Sequence, residues 1–268
     1  MQIFKFVPEN TSECWVTAWL HTDAEGNGEK RPCIVICPGG AYGGVSDREG
    51  TPVAQAYFDA GYQAFVLQYS VLEKAKDFIP LIQLACAVAH IRSNADAWGI
   101  AADQIAVCGF SAGGHLAGSL GTMFNESKFL ERFQQAAHIR PDAVVLCYPV
   151  ILADEFAHEN SIRRVSGAEP GEGAYQWFGL DARVDAQTPP TFLWHTARDK
   201  TVPVENSLKM AAALSAAKVP FELHVFPEGP HGMSICTEAV GSKSDYNARW
   251  VDWSIRWLNK IFKIEHEA

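Results

Sequence analysis

The pentapeptide Gly109-Phe110-Ser111-Ala112-Gly113 constrains this chain more than any other stretch. It follows the apolar run Ile105-Ala106-Val107-Cys108 and leads into Gly114-His115-Leu116-Ala117-Gly118-Ser119-Leu120, a small-residue sequence of helical character. The order reads strand, sharp turn, helix, with a serine at the apex. A serine hydroxyl is a weak nucleophile and must be lifted clear of a sheet to meet both a base and a substrate. Glycines two residues either side allow so tight a turn without a Cβ clash. An ordinary Gly-rich strand-to-helix turn shares the pattern, so the rest of the chain has to decide.

That rest alternates. Apolar runs at 33–37, 63–69, 105–108, 143–148, 191–195 and 221–226 read as strands buried on both faces, after an extended opening segment at 14–20. Helical patterns occupy 52–60, 78–98, 203–217 and 246–262, several of them closed by glycine. The turn-rich stretch 23–28 suggests a hairpin connection. Strands alternating with helices predict an α/β fold, with a mostly parallel central sheet and helices on both faces. With 268 residues the chain reads as one domain, 1–268. One interval breaks the alternation. Residues 150–189 hold no clear strand, and a long connection at the carboxyl edge of a parallel sheet lies where ligands bind. It reads either as a small lid or as packing on the sheet edge.

Bulk properties exclude some functions. A net charge of −9, without clustered Lys and Arg, argues against a nucleic-acid partner. No apolar run is long enough to span a bilayer, and the first residues show no basic-then-apolar export signal. Seven cysteines, several within apolar segments such as Cys33, Cys37, Cys86, Cys108 and Cys147, fit free thiols in a reducing compartment. The expectation is a cytoplasmic protein with a small-molecule partner, no membrane association and an open oligomeric state compatible with a homodimer.

A serine nucleophile needs a base, the base an orienting carboxylate, and the developing oxyanion donors. After the strand at 191–195 comes Thr196-Ala197-Arg198-Asp199-Lys200, a polar loop that delivers Asp199 to the same sheet edge as Ser111. After the strand at 221–226 comes Pro227-Glu228-Gly229-Pro230-His231-Gly232, which delivers His231. Alone, Asp199 reads as a turn or capping residue and His231 as an exposed loop histidine. Three such residues in this order, each at the end of a strand, make a catalytic set. His115, His195 and His224 are less well placed, as are Asp185 and Glu228. Oxyanion donors are expected from the backbone N–H of Ala112 and from the loop Pro38-Gly39-Gly40-Ala41-Tyr42-Gly43-Gly44, at Gly40 or, alternatively, Ala41. That loop lacks the Gly-Lys-Ser/Thr ending of a phosphate-binding loop.

Pro38-Gly39-Gly40-Ala41-Tyr42, Gly109 to Ala117 and the two later loops resemble bacterial α/β-hydrolase esterases. The words Phe192 to Ala197 and Val202 to Leu208 are similar to members described as acetyl-esterase-like, acetylxylan-esterase-like or feruloyl-esterase-like, some carrying a xylanase-related label. The likeness spans roughly residues 31–258. It departs from the hormone-sensitive-lipase branch, which has His-Gly-Gly-Gly where Pro38-Gly39-Gly40-Ala41 stands here. The resemblance implies a serine carboxylic-ester hydrolase for short acyl groups, acting on acetylated carbohydrate, with no cofactor and no metal. The alternatives are an amidohydrolase or peptidase on the same fold, or a binding module. Tyr42, Trp177 and Phe178 are candidate pocket residues, the last two offering faces to a sugar or packing on the core. Ser46-Asp47-Arg48-Glu49 reads either as a charged group near the pocket or as a surface ion pair.

Overall fold

A computed structural model describes residues 1–22, 28, 30–131 and 136–264. Its elements run β1 Gln2–Phe6, β2 Trp15–Leu20, β3 Arg31–Cys37, α1 Thr51–Asp59, β4 Gln63–Gln68, α2 Ile79–Ser93, β5 Ile100–Phe110 and α3 Ala112–Met123. Two single-turn helices follow, α4 Ser127–Leu130 and α5 Ala136–Ile139, and then β6 Ala143–Cys147. The chain continues through α6 Glu159–Ser166, α7 Gly173–Gln176, β7 Thr191–Thr196, α8 Glu205–Ala216, β8 Phe221–Phe226 and α9 Arg249–Phe262. The strands form one sheet in the order β1-β2-β4-β3-β5-β6-β7-β8. β1 and β2 are antiparallel, and β4 through β8 run parallel to β3.

Both faces of the central strands are apolar because both are covered. In β3, Cys33, Val35 and Cys37 face the layer of α2, α3 and α8, whereas Ile34 and Ile36 face α1 and α9. The amphipathic α9 docks through Trp250, stacked on Trp194 at 5.2 Å, and through Trp257 beside Phe192. Such ring pairs add about 0.5–1.5 kcal/mol each beyond area burial. Its outer face carries the Asp252–Arg256 ion pair. The chain leaves β3 for β4 on one side and returns for β5 on the other. The strand order therefore switches between β3 and β5, and a crevice opens at their carboxyl ends.

Two expectations need correction. The 23–28 turn does not close a hairpin: residues 23–27 lie outside the described residues, but the flanking β2 and β3 are not neighbours. β2 instead pairs with β1, an edge strand whose residues carry little periodic signal. The helix expected over 78–98 is helical only to Ser93. Trp98 is apolar because it packs on Phe4, Phe6 and Phe65 of the sheet, not because the helix continues to it.

Candidate active site

Ser111 sits between β5 and α3 with φ 53° and ψ −118°, a conformation that is costly for a residue with a side chain. The surroundings enforce it. A Cβ at Gly109 would stand 2.1 Å from the Gly113 carbonyl oxygen, and one at Gly113 would stand 2.1 Å from that of Cys37. Only glycine lets β5 turn directly into α3 beside β3. The Ser111 N–H is bound to the Cys147 carbonyl at 3.0 Å, and its carbonyl accepts from Val150 at 3.0 Å.

The side chains then line up. Ser111 Oγ lies 2.8 Å from His231 Nε2, and His231 Nδ1 lies 2.6 Å from Asp199 Oδ2. Asp199 Oδ1 accepts the N–H groups of Thr201 and Val202 at 2.9 and 3.0 Å. Burial opposes ionisation of this carboxyl, but hydrogen bonds from His195 and His231, the His231 charge and the Val202 N–H hold its pKa well below the ordinary range. An ionised Asp199 only accepts, so His231 Nδ1 carries a proton, and in the neutral ring Nε2 is free to accept from the Ser111 hydroxyl. His195 supports the carboxylate from behind. Its Nε2 is 3.0 Å from the Val202 carbonyl and 3.4 Å from Asp199 Oδ2, both acceptors, so Nε2 bears the proton and Nδ1 faces Ser207 Oγ at 2.8 Å.

The loop after β3 folds over the serine. Gly40 has φ 133°, and Ala41 and Tyr42 both have φ 54°. The Gly39 N–H is taken by Glu49 Oε2 at 2.8 Å, which leaves Gly40 and Ala41 as the loop's candidate donors. Ala112 begins α3, so its N–H has no intrahelical acceptor. Segment 150–189 reaches this loop. Arg164 Nη1 of α6 donates to the Ala41 carbonyl at 2.9 Å. His158, just before α6, has its pKa lowered by burial and then by the charges of His231 and Arg164, with Asp199 opposing.

The three pocket candidates are mostly engaged with neighbouring side chains. Tyr42 is 1% exposed, and its hydroxyl meets His115 Nδ1 at 2.9 Å. Phe178 is 6% exposed, is stacked on Phe78 and accepts through its carbonyl from His115 Nε2 at 2.9 Å. Trp177 has the Arg183 guanidinium 3.6 Å over its ring and Phe78 edge-on at 5.0 Å. What it leaves open lines a cavity of about 350 Å³ with Phe78, Val165 and Ser166. His115, set aside as a base, is instead the buried pin joining the Gly40 loop, α3 and the 150–189 segment. Glu49 is the other residue that sequence undervalued. It is 3% exposed and no surface ion pair.

The profile of the BD-FAE family matches residues 20–214. The chain belongs to the BD-FAE family. The match takes in Ser111 and Asp199 and stops short of His231. A relative, endo-1,4-beta-xylanase B of Butyrivibrio fibrisolvens, is 38% identical over 82% of this chain but only 35% of its own length. The acetylxylan esterase of Xylanibacter ruminicola is 29% identical over 76% of this chain and 41% of its own. The chain thus spans well under half the length of these curated relatives. The acetyl ester-xyloside bifunctional hydrolase of Caldicellulosiruptor lactoaceticus superposes with a TM-score of 0.84 at 36% identity, covering 97% of this chain and 92% of that one. The sheet and its layers are those of the α/β-hydrolase fold.

Proposed function

We propose that this BD-FAE member is a serine carboxylic-ester hydrolase for short acyl groups that deacetylates acetylated carbohydrate. The observation that carries the reading is the unbroken relay of Ser111 Oγ, His231 and Asp199 at 2.8 and 2.6 Å. Ser111 Oγ attacks the ester carbonyl while His231 Nε2 takes its proton. The negative charge on the tetrahedral oxygen is met by the Ala112 N–H and that of Gly40, or alternatively Ala41. His231 returns the proton to the leaving alkoxide, so an alcohol departs and an acyl-serine remains. Water then repeats the sequence, with His231 as base, and the carboxylic acid leaves. The esterase and acetyl-hydrolase names of the relatives support the same class. The 150–189 segment acts as a lid, a role supported by Arg164 on the Ala41 carbonyl. Seven buried free thiols support a reducing compartment. Among the described residues no helix is long and apolar enough to cross a membrane.

A hydrolysis panel of acetyl, butyryl, octanoyl and feruloyl esters, acetylated xylo-oligosaccharides and matched anilides tests the assignment. The expected order puts acetyl ahead of octanoyl by more than about tenfold in kcat/KM, because each extra methylene gains about 0.8 kcal/mol only where a pocket receives it. Octanoyl rates equal to acetyl rates would refute the short-acyl preference, and faster anilide cleavage would move the enzyme to the amidohydrolases.

A further inference from the structure

The Ser46–Glu49 turn ends in a carboxylate with no cationic partner among the described residues, buried one residue from the candidate oxyanion donor. Both Glu49 oxygens are engaged. Oε2 accepts the Gly39 N–H at 2.8 Å, and Oε1 accepts the Tyr148 hydroxyl at 2.7 Å. The direction of the second bond is fixed because the Tyr148 oxygen already accepts the Ser234 N–H at 2.8 Å. A Cβ placed on Gly39 would lie 2.7 Å from Glu49 Oε2 and 3.0 Å from Ser111 Cβ. The carboxylate and the serine therefore close on the same glycine from two sides.

Peptide planarity turns these bonds into an aiming device. The Gly39 carbonyl shares a rigid plane with the Gly40 N–H and points opposite to it. Ser46 N–H binds that carbonyl at 2.9 Å, which orients the Gly40 N–H, while Glu49 fixes the preceding plane. The other carboxylate oxygen governs the base. The Tyr148 ring packs edge-on against the His231 imidazole at 5.0 Å and 67°. Ser234, three residues beyond His231, gives its N–H to Tyr148 and its hydroxyl to the Arg48 carbonyl at 2.5 Å. One carboxylate thus ties the loop carrying the oxyanion donors to the loop carrying the base.

We propose that Glu49 is a positioning residue that sets the oxyanion donors and His231 in register for the transition state. It rests on the reading of Ser111 and His231 as nucleophile and base. A glutamine cannot replace the carboxylate, because both partners donate and its amide would face one of them with N–H groups. The test compares Glu49→Gln, Tyr148→Phe and the double variant on p-nitrophenyl acetate, with active sites counted by fluorophosphonate titration. Affinity for an aryl boronic acid, which mimics the tetrahedral state, is measured alongside. Glu49→Gln should lower kcat per titrated site about 10- to 100-fold and weaken the boronate in parallel, with KM within about threefold. The double variant should fall little further than Glu49→Gln, since both act through one node. A folded Glu49→Gln with lower thermal stability but unchanged kcat and boronate affinity would make Glu49 a packing residue and overturn the proposal. If Glu49→Gln does not fold, Tyr148→Phe is held to the same standard. Failure of the underlying reading shows separately, as activity surviving in Ser111→Ala.

Discussion

Asp199 shows how closely one side chain can be specified. Two backbone N–H groups meet Oδ1 and two imidazoles meet Oδ2, so every neighbour is a donor. In Asp199→Asn the amide oxygen stays on Thr201 and Val202, and the NH₂ group faces His231 Nδ1. His231 must then accept there and carry its proton on Nε2, where it can no longer take one from Ser111. Turnover should fall about 10⁴-fold, as in the serine-protease template for this substitution, with little change in fold. Steady-state kinetics on p-nitrophenyl acetate checks this, and a loss below tenfold would deny Asp199 its orienting role. Ser111, Asp199 and His231, which the structure brings within hydrogen-bond distance, stood out in the sequence because each follows an apolar strand. The sequence left Glu49 between a charged group near the pocket and a surface ion pair, because its exposure and partners depend on where β6 and the His231 loop come to lie. Tyr42 and Phe178 were ambiguous for the same reason, since an aromatic beside a site motif can be wall or core, and both are buried here.

At the scale of elements, His115 binds three pieces together. It stands in α3, accepts from Tyr42 of the Gly40 loop and donates to the Phe178 carbonyl of the 150–189 segment. Complete burial lowers its pKa from 6.5 to about 4, against a smaller opposing effect of the Phe178 carbonyl. The unfolded chain therefore takes up a proton below about pH 6.5 that the folded one refuses until about pH 4. Its contribution is present above pH 6.5 and declines as pH falls through that window, by roughly 3 kcal/mol in all. Urea unfolding of the wild type and of His115→Gln between pH 7 and pH 4 measures it. The difference between the two should shrink as pH falls, and a constant difference would mean His115 titrates normally. Helix and strand positions were legible where periodicity ran long, as in α9 and β3. They were blurred where tertiary contacts supplied the apolar signal, as at Trp98, or withheld it. β5 extends back to Ile100, which pairs with Arg31, through an irregularity that holds the polar Asp103 and Gln104 and looks like loop in the sequence.

At the scale of the molecule, the strand-order switch between β3 and β5 brings two distant sequence words to one crevice. The alternation of strands and helices made the layered sheet readable, and the order of its strands follows from how the crossovers return. The loops after β3, β5, β7 and β8 thereby deliver donors, serine, carboxylate and imidazole to a single edge of the sheet. That convergence means little unless the serine performs the covalent step. The most direct measurement is kcat/KM of Ser111→Ala on p-nitrophenyl acetate, with circular dichroism confirming the fold. Loss of one member of such a set costs on the order of 10⁴- to 10⁶-fold, and a loss in that range is the expected result. A folded variant retaining a tenth or more of wild-type turnover would contradict the assignment of Ser111.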